Sequence, residues 1–348
     1  MKSLSYPSPT NTKVNVSGGL VEFLSFFESY LSDLVSDFDP TIRNLAKHVI
    51  LNGGKRIRPF LVYTCGAGNA EATENLLKAS SVIEIVHVAT LVHDDILDSA
   101  SLRRSKPTLH SQFGEHTAIL LGDALFSYAL ELATDFPDSS VCRIVSRSTR
   151  KTCTGEISQN FNKANFQLSA DDYFTIIQDK TGELFSASCM IGSHLAGGDG
   201  DLIDILGDFG NSLGLNYQIY DDLIDTFGDS FTSGKTLGTD FQSGKVTLPI
   251  IRLLESLPQS ISESFLDAFS ENSDNEEFQK YFGRLLIDHD IHEKCFSELE
   301  QRLERSKLIA SNIPDLPLSK RLLSFLSSFD HKLEKLDTNL LPNFLALH

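Results

Sequence analysis

The stretch 82–98, VIEIVHVATLVHDDILD, decides the fold. It lies within residues 70–102, which contain neither Gly nor Pro. Its middle is apolar on nearly every side, the mark of a helix buried inside a bundle of other helices. Yet the stretch ends in three carboxylates, Asp94, Asp95 and Asp98. A second apolar helix, expected at about 202–227, closes the same way: IYDDLID at 219–225 carries Asp221, Asp222 and Asp225. Its glycines, Gly207, Gly210 and Gly214, are tolerable where helices approach closely. Burying unpaired negative charge costs several kcal/mol per ion, so each cluster requires something cationic to face.

Outward from these two helices the pattern stays helical. From Leu20 the apolar residues recur at helix spacing, as in Leu24, Phe27, Leu31, Leu34 and Phe38, and β-branched alternation is scarce. The expectation is an all-α fold, one bundle of about ten or more helices over residues 20–348. Residues 1–19, rich in Ser, Pro, Thr and Asn, read as a flexible leader. Residues 228–249, GDSFTSGKTLGTDFQSGKVTLP, read as a long loop, and loops of that length in compact domains are usually functional.

Composition excludes several function classes. A net charge of −17, with a pI near 4.9, argues against a nucleic-acid surface. An anionic substrate must be met by local basic groups or by metal. The five cysteines form no CxxC pair, which disfavours a zinc site or a disulfide framework and fits a reducing, cytoplasmic setting. No charge-free apolar run reaches membrane-spanning length, so no membrane span is expected.

At about 100° per residue, Asp94 and Asp98 share one helix face with Asp95 at its flank, and the second motif repeats the geometry. Hard divalent ions suit such carboxylates, and Mg²⁺ completes its octahedron with water and phosphate oxygens. Two such helices facing each other would hold a diphosphate through metal. An EF-hand is disfavoured, since neither stretch has the required Gly and Glu positions. A P-loop is rejected as well: GDSFTSGKT has one residue too many between its glycines, and no strand precedes it. Basic residues complete the pattern. GGKRIRP at 53–59 carries Lys55, Arg56 and Arg58; Arg103 and Arg104 follow Asp98 by a little over one helical turn; Lys235 and Lys245 sit in the Gly-rich loop. Arg offers a planar fork for phosphate oxygens and Lys a point charge.

Besides GGKRIRP, the chain carries LVHDDILDSASLRRSKPTLHSQFG at 91–114, GDALFSYAL at 122–130, GEISQ at 155–159, DKTGELF at 179–185, YQIYDDLIDTFGD at 217–229 and GKTLGTDFQSGKVTLP at 234–249. In this order they resemble the trans-isoprenyl diphosphate synthases, the polyprenyl synthetase family, and most of all its medium- and long-chain members. The resemblance implies an isoprenoid-synthase bundle around a central cavity, a homodimer, and head-to-tail condensation of isopentenyl diphosphate with an allylic diphosphate (dimethylallyl, geranyl, farnesyl or geranylgeranyl). It implies Mg²⁺ as cofactor, about three ions with substrate bound. Asp94, Asp98 and Asp221 would ligate the metal, supported by Asp95, Asp222 and Asp225. Arg103, Lys180, Thr181, Gln218, Lys235 and Lys245 would hold the allylic diphosphate, and Lys55, Arg58, His87 and Arg104 isopentenyl diphosphate. His93 reads as a packing histidine rather than a general base.

Chain length is a packing question. Ala89 and Thr90, five and four residues before Asp94, are both small, which predicts an open channel and a product longer than farnesyl; Phe126 and Tyr128 are candidates for a deeper floor. The chain departs from the family at Ser105, where Gly is usual, at Asn216-Tyr217, and in a C-terminus, LPNFLALH, without a basic tail. Two rivals are a terpene cyclase or head-to-head synthase on the same fold, and a non-catalytic subunit of a heteromeric synthase. DDLID lacks the Asn/Asp, Ser/Thr, Glu triad of a cyclase, and no acidic or basic ligand is missing as a silent subunit would require.

Overall fold

A computed structural model describes residues 19–66, 73–104, 106–228, 238–272 and 275–337. The leader at 1–18, Ser105, Lys235 and the C-terminal LPNFLALH lie outside the described residues. The described chain is helical but for one small hairpin. It gathers into two compact units, residues 1–101, 108–145 and 188–203, and residues 102–107, 146–187 and 204–348.

In the first unit, α1 (Leu20–Asp37) buries Phe23, Phe27, Leu31 and Leu34 on one stripe. Asp39 caps α2 (Pro40–Ile50) by accepting the Thr41 amide at 2.8 Å, with Pro40 at the first helical position. After α3 (Ile57–Gly66) comes α4 (Thr73–Leu97), the core helix of the opening stretch. It is followed by α5 (Leu109–Phe113) and α6 (Glu115–Thr134). Both α4 and α6 are, by length and composition, long and apolar enough to cross a membrane; the apolar window of α4 is 72% buried inside the protein and that of α6 39%. On α6, Ile119 and Leu120 remain exposed.

Helix α7 (Ser140–Phe161) leads into the second unit, where Ser169 caps α8 (Ala170–Ile177) by accepting the Asp172 amide at 3.1 Å. One π-helical turn, Gln178–Gly182, joins α8 to α9 (Glu183–Leu195). The glycine-bearing helix is α10 (Gly200–Phe227). A Cβ on Gly214 would stand 2.7 Å from the Gly182 Cα, and one on Gly210 2.6 Å from the Phe185 carbonyl oxygen, so α10 approaches α9 as closely as its sequence predicts. The Gly-rich loop contains a short helix, α11 (Thr239–Gln242). Then come α12 (Leu248–Ser256), α13 (Gln259–Asn272), α14 (Glu276–Asp288), α15 (Ile291–Ser311) and α16 (Leu316–Asp337). Phe241 of α11 stacks on Phe282 at 4.1 Å between ring centroids and meets Phe269 edge-on at 5.1 Å, which anchors the loop to α13 and α14.

The chain after Asp98 does not continue as helix: Leu102–Arg103 pairs antiparallel with Lys106–Pro107, and Arg104 takes the left-handed backbone (φ 51°) that a tight hairpin turn demands. The Asn216-Tyr217 departure is explained by packing. Asn216 Nδ2 donates to Ser306 Oγ at 2.9 Å, and Tyr217 lies against Phe185 and Phe329.

Candidate functional site

The first acidic motif lies at the C-terminal end of α4. His87, Thr90, Leu91, Asp94 and Asp98 fall within an arc of about 100°. They are half-buried or exposed, while Val86, Val88, Ala89 and Val92 between them are buried. Asp95 points off that arc and is 5% exposed. Thr90 Oγ1 donates back to the His87 carbonyl at 2.7 Å, which leaves its methyl as the outward group one turn before Asp94. Ala89 is on the other side of the helix, fully buried, so the structure separates the two small residues: only Thr90 shares the face of the carboxylates. The proposed floor residues divide as well. Phe126 borders His93 of α4 at 5.8 Å between ring centroids, whereas Tyr128, two positions on and so on the opposite side of α6, packs on Phe38 at 4.4 Å. They cannot floor the same channel. His93 sits against α6, with Nε2 3.1 Å from the Ile119 carbonyl.

In GGKRIRP the basic residues have different fates. Arg56, at φ 48°, turns its guanidinium inward to Glu28 (2.7 Å) and Glu84 (2.6 Å) and is 6% exposed. Burial alone would lower its pKa, but the two carboxylates hold it charged. Lys55 is exposed and Arg58 half-buried in the first turn of α3.

The second acidic motif repeats the split of the first. Asp221 is exposed and Asp222 is 4% exposed. Neutral donors, not a cation, meet the buried member: Tyr173 Oη donates to Asp222 Oδ2 at 2.7 Å, and Gln218 Nε2 donates to Oδ1 at 2.8 Å. Burial, then Asp240, pushes the Asp222 pKa up to about 7 against the pull of those two hydrogen bonds. Asp225 caps α11, accepting from the Thr239 and Asp240 amides and from Thr239 Oγ1 at 3.0–3.3 Å; burial and Asp240 push it up to about 6. Lys245 Nζ pairs with Asp240 at 3.2 Å.

Lys180 stands on the π turn. Its ammonium meets Glu156 Oε2 and Gln159 Oε1, each at 2.6 Å, both from the GEISQ segment of α7. The bond to Gln159 uses one of the ammonium's three N–H donors and the Glu156 contact is an ion pair, so at least one donor remains for a substrate oxygen. A Cβ on Gly155 would fall 2.8 Å from the Lys180 Cα, so only glycine lets α7 come this close to the turn. Lys151, one turn earlier, pairs with Asp179 at 2.8 Å. Thr181 Oγ1 donates to Gln218 Oε1 at 2.7 Å. Arg103 and Arg104 belong to the hairpin of this same unit.

Sequence reasoning missed Glu156, Gln159, Tyr173 and Asp240. The first two stand three apart on one helix, a spacing that puts both on one face. Nothing local marks Tyr173 or Asp240. Among the described residues no three His, Cys, Asp or Glu side chains converge into a finished metal cage. All donors of the two motifs are carboxylate oxygens, the set that fits Mg²⁺, which binds through one or two carboxylates and takes its other ligands from water and phosphate.

The polyprenyl synthetase family profile matches residues 39–285. A short chain isoprenyl diphosphate synthase from Methanocaldococcus jannaschii is 33% identical over 70% of this chain and 76% of its own. Heptaprenyl diphosphate synthase component 2 of Bacillus subtilis is 33% identical over 67% of each chain. Among solved structures, a polyprenyl synthase from Caulobacter crescentus complexed with calcium and isoprenyl diphosphate superposes with a TM-score of 0.81 at 28% identity, covering 92% of this chain and 98% of that one.

Proposed function

The chain belongs to the polyprenyl synthetase family and is a trans-prenyltransferase that joins isoprenyl diphosphates head-to-tail, and on that premise we propose how its residues divide the work. One observation carries the assignment. In both acidic motifs the second carboxylate is buried (Asp95, 5% exposed; Asp222, 4%) while the first stays open. Asp94, Asp98 and Asp221 are therefore the metal ligands, and Asp95, Asp222 and Asp225 the groups that hold the ligand helices in place. The Caulobacter structure, with calcium and isoprenyl diphosphate bound, supports a divalent cation beside the substrate.

When bound, Mg²⁺ neutralises charge on the diphosphate as it leaves. The chain's own cations work to the same end. Lys180, held by Glu156 and Gln159, presents its remaining N–H to the allylic diphosphate; Arg103, Lys245, the Thr181–Gln218 pair and, from outside the described residues, Lys235 bind the same group. Fixed positive charge aimed at the developing anion favours breaking the allylic C–O bond without reorganisation at the moment of reaction. Lys55, Arg58, His87 and Arg104 hold isopentenyl diphosphate so that its double bond attacks the allylic carbocation. The released diphosphate takes the proton, and no protein nucleophile is needed.

Thr90, small and on the carboxylate face, favours a product longer than farnesyl, with Phe126 as the deeper candidate. The exposed Ile119 and Leu120 of α6 favour assembly as a homodimer. A cytoplasmic location completes the proposal.

The test is incubation of purified protein with labelled isopentenyl diphosphate, Mg²⁺ and each allylic primer, followed by product sizing. Wild type should elongate the primer, and Asp98→Ala should lose about 10²–10³ in rate. No elongated product, or an unchanged Asp98→Ala rate, would sink the site assignment. A product ending at farnesyl would remove only the chain-length reading.

A further inference from the structure

We propose that Tyr173 is a positioning residue for the second acidic motif, acting through Asp222. The inference rests on the assignment of that motif to the diphosphate and its metal.

Tyr173 lies in α8, forty-nine residues before Asp222, and is 2% exposed. A buried tyrosine must give its hydroxyl a partner, and a backbone carbonyl would serve. Here the partner is instead the one fully enclosed carboxylate of the motif, at 2.7 Å. The bond occupies Oδ2 while Gln218 occupies Oδ1 at 2.8 Å. Each carboxylate oxygen is thus fixed by one donor, one from α8 and one from α10 itself.

The arrangement runs on beyond Asp222. Gln218 spends its amide N–H on Asp222 and its carbonyl oxygen on Thr181 Oγ1, which donates at 2.7 Å. Tyr173, Asp222, Gln218 and Thr181 therefore form one unbroken hydrogen-bonded chain. It begins on α8, crosses α10 one residue from the exposed Asp221, and ends on the π turn beside Lys180. The donors run one way: Tyr173 donates to Oδ2, Gln218 donates its N–H to Oδ1, and the Gln218 oxygen is thereby turned to Thr181, which donates to it. Remove the Tyr173 hydroxyl and Oδ2 of Asp222 has lost its donor in a buried position. The carboxylate is then free to rotate, and with it the amide orientation of Gln218. Tyr173 touches neither substrate nor metal; its effect is on the aim of Asp221, Gln218 and Thr181, as outer partners orient the groups that bind a metal.

Tyr173→Phe deletes one oxygen and keeps the ring. In steady-state assays its kcat should fall about tenfold to a hundredfold, with KM for isopentenyl diphosphate unchanged. By calorimetry, Mg²⁺ with inorganic pyrophosphate should bind about tenfold more weakly than to wild type. The thermal midpoint of the ligand-free protein should fall by a few degrees, because Asp222 Oδ2 is left without its donor, with helix content by circular dichroism unchanged. The decisive measurement is the cycle with Asp222→Asn: in that background Tyr173→Phe should cost little more, because the route of its influence is already gone. The proposal is overturned if Tyr173→Phe keeps wild-type kcat and pyrophosphate affinity, or if it costs the same factor with Asp222→Asn as without it. A wild type that makes no prenyl chain would remove the underlying assignment; an active wild type with an indifferent Tyr173→Phe removes this inference alone.

Discussion

Asp222 shows how a single carboxylate can be both a liability and a hinge-pin. Its pKa in the fold, about 7, lies above the ordinary 3.8, so the folded chain holds a proton that the unfolded chain gives up near pH 4. A group of that kind favours the fold at low pH, and its contribution is lost as pH rises to 7. The stability of the metal-free wild type relative to Asp222→Asn should therefore decline between about pH 4 and pH 7 and level off above, read as the difference between their thermal midpoints; a constant difference across that window would contradict the burial argument. Arg56 makes the converse case. It is one of three cations in GGKRIRP, yet it neutralises Glu84, which is 5% exposed. Arg56→Ala leaves that carboxylate unpaired and should cost about 3–5 kcal/mol in denaturant unfolding. Lys55→Ala, on an exposed residue, should leave stability alone and raise KM for isopentenyl diphosphate. The sequence shows Arg56 only as a third charge in GGKRIRP, without a role, because charge is visible in it and direction is not.

At the scale of elements, the site depends on close approaches that glycine permits. Gly155→Ala puts a methyl group into the backbone of Lys180 and must push α7 away from the π turn. The ammonium then loses its fixed partners, and kcat should drop by about tenfold or more with helix content unchanged by circular dichroism. Phe241→Ala removes the ring that anchors α11 against Phe282 and Phe269. It should destabilise by about 3–5 kcal/mol in denaturant unfolding. The two long helices were legible in the sequence because α4 and α10 are apolar over many turns, a signal no loop imitates. The hairpin at 102–107 was not, since strands of two residues carry no alternation and the turn is set by one left-handed residue. The π turn was also hidden: its extra residue is held by packing against Gly155 and α10, not by local propensity. Likewise the division between Thr90 and Ala89 was present in the 100° spacing of a helix, but it becomes a statement about the channel only once burial shows which face is covered.

For the whole molecule, α6 is the element with the most to explain. It is apolar enough to span a bilayer, and Leu120 is 68% exposed and Ile119 43%. The proposed homodimer would cover this face. Light scattering after size exclusion should give twice the 38.5 kDa of one chain, and Leu120→Glu should shift the protein to the single-chain mass. A wild type at the single-chain mass would overturn the homodimer. The chain's charge of −17 acts at the same scale. It repels any diphosphate at a distance, so recognition falls to a few cations held at fixed positions, among them Lys180, held by Glu156 and Gln159.

The turn that carries Lys180 contains one residue more than an α-helix would use there. Removing any single residue from Gln178–Gly182 would let the hydrogen-bond ladder run from α8 into α9 without interruption, a change that backbone energetics alone would accept. It would leave α8 and α9 nearly in phase, because the wide turn absorbs its extra residue, but it would carry Lys180 or Thr181 away from the places the turn gives them. Over generations this segment should therefore tolerate exchanges of side chain far better than any change in its length.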